Sequence, residues 1–279
     1  MPPSPQQIRE WESYLSFLSD HELEDTFDPE PTNRLLAENK SRFAGGPANS
    51  AQASTLATVT PLPIATRVNA LRPENLKNFN LDQAVTLATA LASQAPTIEA
   101  LYTAIDGFAD APMRYEGGKG VIRGRSATQG EVLIIGEVPD ADEDEALEAF
   151  TGKPGRLVDA ALKALGLTER ATLLPGLFWR PAGSRPATDE DVALTAPFMT
   201  RLIELSAPKT VILLGGTAIR VTLGTSDSVQ KLRGKPQDIA LPNGTKVPAY
   251  ATFPAAFLLT QPLAKKAFWA DFLAATASL

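Results

Sequence analysis

The 279-residue chain contains no cysteine and a single histidine. The first absence excludes disulfides, thiol nucleophiles and cysteine-ligated zinc or iron–sulfur sites. The second confines imidazole chemistry to His21, in the charged stretch Ser19-Asp20-His21-Glu22-Leu23, which reads as a solvated surface residue. The usual route to general-base chemistry near neutral pH is therefore almost closed. Long apolar runs are also missing; none approaches the roughly 18 residues of a membrane span. The start, Met1-Pro2-Pro3-Ser4-Pro5, lacks the order of a signal peptide, so a soluble cytoplasmic protein is expected. Positive charge is short as well. A net charge of −6 disfavours bulk electrostatic binding of nucleic acid but leaves room for a local basic groove.

What is present changes character near residue 128. Residues 6–24 place Ile8, Trp11, Tyr14, Leu15 and Leu18 at helical spacing. Residues 25–78 are rich in Pro, Asn, Ser, Thr and Ala without a lasting period, and read as a tether or extended wrap. The expected division is an arm over 1–78 and a domain over 79–279. Residues 79–106 predict one or two helices, broken near Pro96. From 131 onward, four short apolar runs (132–135, 172–174, 211–214 and 247–252) alternate with helical segments. Gly155–Leu165 carries its apolar residues on one face, and Thr188-Asp189-Glu190-Asp191 opens the next helix like a capping box. Continuous apolar strands separated by helices predict an α/β fold, a parallel four-stranded sheet covered on both faces. Ligands of such sheets sit beyond the carboxyl ends of the strands.

Four segments occupy those ends. After the first strand, Glu137 follows a glycine and projects from the sheet rim. It leads seven acids between Glu137 and Glu148, which read either as an acidic loop feeding a helix start or as a hard-metal site. After the second comes Arg180-Pro181-Ala182-Gly183-Ser184-Arg185, either a phosphate-binding loop or a rigid turn whose arginines pair with the acidic loop. After the third, Gly215-Gly216-Thr217 opens a helix and favours an anion there. Between the third and fourth lies Lys231-Leu232-Arg233-Gly234-Lys235-Pro236. It is either an exposed loop or a leucine wedge flanked by cations for insertion at a base step. After the fourth, Phe253-Pro254 offers no titratable group.

In this order and spacing the segments resemble those of a family 4 uracil-DNA glycosylase. The family's Gly-Glu-Ala-Pro-Gly motif is matched by Gly136-Glu137-Val138-Pro139-Asp140, and its Pro-Phe-Val-Gly by Ala149-Phe150-Thr151-Gly152. Its Arg-Pro-Pro-Gly-Asn-Arg loop is matched by residues 180–185, its Leu-Arg-Gly loop by Leu232-Arg233-Gly234, and its His-Pro-Ala-Tyr-Leu-Leu motif by the segment from Phe253 to Leu259. The resemblance covers about residues 100–279. It implies a three-layer α-β-α sandwich, with Glu137 catalytic, Phe150, Pro175 and Phe253 around the base, and Arg180, Gly183, Ser184, Arg185, Leu232, Arg233 and Lys235 on DNA.

Departures from the family pattern weigh against activity. The resemblance implies a four-iron cluster on four cysteines, but the aligned residues are Ile105, Phe108, Trp179 and Thr195, so no cofactor and no metal are expected. The asparagine that reads uracil's polar edge becomes Pro175, and the histidine beside the uracil carbonyl becomes Phe253, expected to fill the base slot. Losing one preorganised donor typically costs on the order of 100- to 1000-fold. A non-catalytic accessory of DNA replication or repair is therefore the leading expectation. It would bind DNA through the local basic loops or a protein partner through the N-terminal arm. The psi accessory subunit of bacterial clamp loaders offers a fold-level precedent. The alternative is a divergent, cluster-free glycosylase excising uracil or another damaged base.

Overall fold

A computed structural model describes residues 79–126 and 130–279. The helix expected over 6–24 and the tether over 25–78 lie outside the described residues. Two helices open the described chain. α1 (Leu81–Gln94) is capped by the Asn80 side chain, which accepts from the Gln83 N–H, and α2 (Ile98–Gly107) by Thr97. Pro96 lies in the break between them, because a proline disfavours helical backbone in the residue before it. Ala84, Ala88 and Ala92 are buried at helical spacing, so α1 approaches its neighbour closely.

The sheet has six strands in the order β1-β3-β2-β4-β6-β5. Its centre is the expected parallel set: β2 (Val132–Ile135), β3 (Ala171–Leu174), β4 (Thr210–Leu214) and β6 (Lys246–Thr252). Two edges were not expected: β1 (Arg125–Ser126) lies antiparallel on β3, and β5 (Pro236–Ala240) antiparallel on β6. β1 is too short to show a period. β5 opens with a proline and carries Gln237 and Asp238, which suit an edge but read as loop.

Helices complete three layers. They are α3 (Ala141–Ala146), α4 (Gly152–Ala164), α5 (Asp189–Ser206), α6 (Gly216–Leu223), α7 (Val229–Leu232), α8 (Ala255–Thr260) and α9 (Lys265–Thr276). Strand alternation sorts the core. Leu133, Ile135, Val211 and Leu213 pack with α1, α2, α5 and α6, while Val132, Ile134, Ile212 and Leu214 pack with α4, α8 and α9. α5 starts as read: the Thr188 hydroxyl accepts from the Asp191 N–H at 3.1 Å, and the Asp191 carboxylate accepts from the Thr188 N–H at 2.9 Å. The helix expected over 262–274 is α9 preceded by a 3-10 turn at Pro262–Ala264. No described helix is long and apolar enough to cross a membrane.

From β2 the chain crosses to β3 on one side, then back to β4 on the other. The reversal opens a crevice at the carboxyl ends of β2 and β4, where open α/β sheets place ligands.

Candidate functional site

Glu137 stands in that crevice. Its backbone is pinned by the Gly136 N–H, which donates to Leu174 O at 2.9 Å, and by the Gly176 N–H, which donates to Glu137 O at 3.0 Å. Its side chain crosses to β4, where Oε1 accepts from the Thr217 N–H in the first turn of α6 at 3.2 Å. The anion expected at Gly215-Gly216-Thr217 is thus the carboxylate of Glu137, favoured there by the positive end of the helix. Gly215 makes room for it. Its φ is +99°, and a Cβ there would come within 1.9 Å of Glu137 Oε1.

Beside Glu137 opens a cavity of about 210 Å³. Its wall includes Glu137, Asp140, Glu143, Phe150, Thr151 and Pro254. Phe150 holds a positive φ of 59°, unusual for a residue with a large side chain. Glu143 fixes it. The Phe150 N–H donates to Glu143 Oε1 at 2.6 Å, and the Asp140 N–H donates to Glu143 Oε2 at 2.9 Å. Burial raises the Glu143 pKa, against these backbone donors, and Asp140 and Asp142 add to the rise by repulsion. Asp140 caps α3, its Oδ1 accepting from the Asp142 and Glu143 N–H groups. Gly155 lets α4 close on Phe150; a Cβ there would overlap the Phe150 carbonyl.

Other predicted residues are placed differently. Phe253 does not fill the slot. It lies off the cavity wall, stacked on Phe257 with centroids 5.3 Å apart and 5.2 Å below the Arg233 guanidinium. Pro175 is buried at the end of β3 and is also off that wall. Leu232 is not a free wedge: it is 8% exposed and joins the core beneath α7. Arg233 is a strut, its Nε and one terminal nitrogen each 3.1 Å from the Asp271 carboxylate, which also accepts from the Thr252 hydroxyl at 2.7 Å. Lys235 is exposed.

The 180–185 loop is a braced turn with Gly183 and Ser184 both at positive φ. Arg180 donates to Ser184 Oγ at 3.0 Å and stands 3.6 Å from Asp144, which joins the loop to the acidic segment. Arg185 forks onto Glu116 and Asp191, each at 2.6 Å. Burial works against its charge, but the hydrogen bonds it donates to Asp191 and Glu116 outweigh it and raise the pKa. Among the described residues, no group of three or more His, Cys, Asp or Glu is placed to hold a metal ion.

Comparison with known proteins agrees with this geometry. The sequence profile of the uracil DNA glycosylase superfamily matches residues 124–274, more than half of the chain. The chain belongs to this superfamily. Similar relatives include type-4 uracil-DNA glycosylases of Archaeoglobus fulgidus, 26% identical over 51% of this chain and 73% of the relative, and of Saccharolobus solfataricus, 27% identical over 55% and 74%. A third, from Thermotoga maritima, is 29% identical over 42% of this chain and 62% of its own length.

These relatives correct the expectation of a cofactor-free member. They are type-4 enzymes, the type whose resemblance implies a four-iron cluster, so the family gives no ground for that expectation. The residues at the four aligned positions nonetheless do not fit a cluster. Ile105, Phe108, Trp179 and Thr195 are at most 2% exposed, and the rings of Phe108 and Phe198 pack edge to face at 5.4 Å in the same space. The Thr195 hydroxyl, buried without a hydrogen-bond partner, is the one side-chain oxygen among them and none carries sulfur, where such a cluster takes four thiolates.

Two features escaped the sequence reading. Asp271 was not singled out; its signal is a lone acid within Ala267-Phe268-Trp269-Ala270-Asp271-Phe272. Asp140 was read among the acids feeding a helix start and at the place of a motif glycine, but not as the cap itself, although its position three residues before Glu143 spells the capping box it forms.

Proposed function

We propose that this superfamily member is a DNA glycosylase that hydrolyses the bond between a damaged base and its sugar. The observation that carries the reading is the open cavity between Glu137 and Phe150, with Phe253 outside it. A nucleotide rotated out of the duplex loses stacking worth a few kcal/mol, which contacts inside a pocket offset. Phe150, clamped through its own backbone, supplies a stacking face that does not shift. Glu137, with one oxygen held by the Thr217 N–H, has its other oxygen available to a water at the sugar. From there it takes the water's proton and its charge favours the oxocarbenium-like sugar.

Uracil is a poor fit. Its departing ring is an anion, and among the described residues around the cavity no imidazole or amide side chain takes the place of the family's histidine and asparagine; the one neutral side-chain donor, the Thr151 hydroxyl, is turned to Glu148 O. A unit negative charge about 4 Å from a carboxylate is opposed by about 4 kcal/mol at an effective dielectric constant of about 20. That corresponds to about a thousandfold in rate. The same losses favour the second reading, a non-catalytic accessory on the glycosylase fold.

Single-turnover incubation with duplexes carrying different damaged bases, followed by alkali, separates the two. Strand breaks at one or more damaged bases, lost in Glu137→Gln, are expected. No breaks at any base, with the duplex still bound at low salt, would establish the accessory reading.

A further inference from the structure

We propose that the base this site takes is a cationic, ring-alkylated one, such as a purine methylated at N3 or N7. The inference rests on the glycosylase reading and names its substrate class. Among the described residues, the ionisable groups on the cavity wall are Glu137, Asp140 and Glu143, all acids, with no Lys, Arg, His, Asn or Gln beside them. Lys153 and Arg156 flank wall residues in sequence but are exposed and do not line the cavity, while Arg180 is engaged with Asp144, Arg185 with Glu116 and Asp191, and Arg233 with Asp271. Phe150 adds an aromatic face, whose quadrupole attracts a flat cation. The pocket repels an anion and attracts a positive ring.

The chemistry follows the same sign. In a ring-alkylated purine nucleotide the base carries a positive charge while still bonded to C1′. When the C1′–N9 bond breaks, its electron pair goes to the base and cancels that charge, so the base leaves neutral. Water oxygen bonds to C1′, and the water's proton passes to the Glu137 carboxylate and on to solvent. The products are a neutral base, an abasic sugar and one proton. No donor to a departing anion is needed, so the replacements at Pro175 and Phe253 leave this reaction intact. They remove the means of reading uracil, and the carboxylates then select for charge.

The test is DNA methylated with dimethyl sulfate, with released bases identified by chromatography, run beside uracil- and hypoxanthine-containing DNA. Release of methylated purines about 100-fold or more above their spontaneous loss, abolished in Glu137→Gln, is expected. Asp140→Asn keeps a good helix cap but removes a charge. It is expected to lower the preference for methylated purine over hypoxanthine about tenfold while leaving the folded protein intact by circular dichroism. Release of uracil or hypoxanthine without methylated purine would overturn the substrate class and leave the glycosylase reading standing. Release of no base at all would overturn both. An unchanged preference in Asp140→Asn would remove the electrostatic basis of the selection.

Discussion

Arg233 belongs to the Leu-Arg-Gly loop, which the family resemblance assigns to DNA, yet its guanidinium is spent on Asp271. The perturbation that separates the two roles is Arg233→Ala. Asp271 is 4% exposed, and it accepts from Arg233 at 3.1 Å and from the Thr252 hydroxyl at 2.7 Å. Without the guanidinium, the carboxylate stays buried with one neutral donor. Removing one partner of a buried ion pair costs about 3–5 kcal/mol. Loss of the contact over Phe253 adds about 0.5–1 kcal/mol.

The loss depends on pH with a definite sign. Burial raises the pKa of Asp271 in the folded protein, with Thr252 and Arg233 pulling the other way. Removing Arg233 therefore raises the folded pKa further. Between the unfolded value near 4 and the folded value, the native state holds the extra proton, so stability falls as pH rises through that window. Urea unfolding followed by circular dichroism is expected to show a smaller penalty at about pH 4.5 than at about pH 7. The double variant with Asp271→Asn is expected to regain most of the loss at the higher pH. A stability within about 0.5 kcal/mol of wild type at both pH values would refute the strut. Arg233 would then be free for DNA.

Other expectations follow from the same geometry. Gly215→Ala places a methyl against Glu137 Oε1 at a φ of +99°, and is expected to cost about 1–3 kcal/mol of stability and at least tenfold in base release, read by unfolding and single-turnover rates. Arg185→Ala leaves Glu116 and Asp191 buried without their cation, so unfolding is expected to reveal a loss of about 3–5 kcal/mol, whereas Lys235→Ala on the exposed rim is expected to leave stability alone. In gel shifts over a salt series, Lys235→Ala is expected to flatten the salt slope by about 1. Thr188→Ala is expected to cost about 1 kcal/mol through the lost cap of α5, measured by thermal unfolding.

The layered sheet was legible because its central strands are short, continuous apolar runs, a pattern that only burial on both faces explains. Thr188-Asp189-Glu190-Asp191 likewise announced a helix start from side-chain chemistry alone. The edge strands β1 and β5 were not legible. A two-residue strand has no period, and an edge strand that keeps its polar residues looks like loop. Glu137 was singled out by position, but its partner was not, since a backbone N–H eighty residues away leaves no mark in composition. The basic loops misled for a related reason. A rigid turn with paired arginines was one of the two readings of 180–185, but Glu116 was not named as a partner of Arg185, nor Asp271 as that of Arg233, because both acids are distant in sequence. Phe253 was expected in the base slot because its family counterpart lines it. In the fold, stacking on Phe257 and the Arg233 guanidinium holds it outside.

The central claim is that Glu137, held on Thr217 at the edge of an open cavity, drives base release. Its most direct test is the number of abasic sites formed in a single turnover on methylated DNA, counted with an aldehyde-reactive probe, for wild type and Glu137→Gln. Wild-type protein is expected to form sites, and the variant to fall by about 100-fold or more while keeping its fold and its affinity for the duplex. Equal counts for the two proteins would contradict it, as would the absence of sites for both on methylated, uracil-containing and hypoxanthine-containing DNA alike.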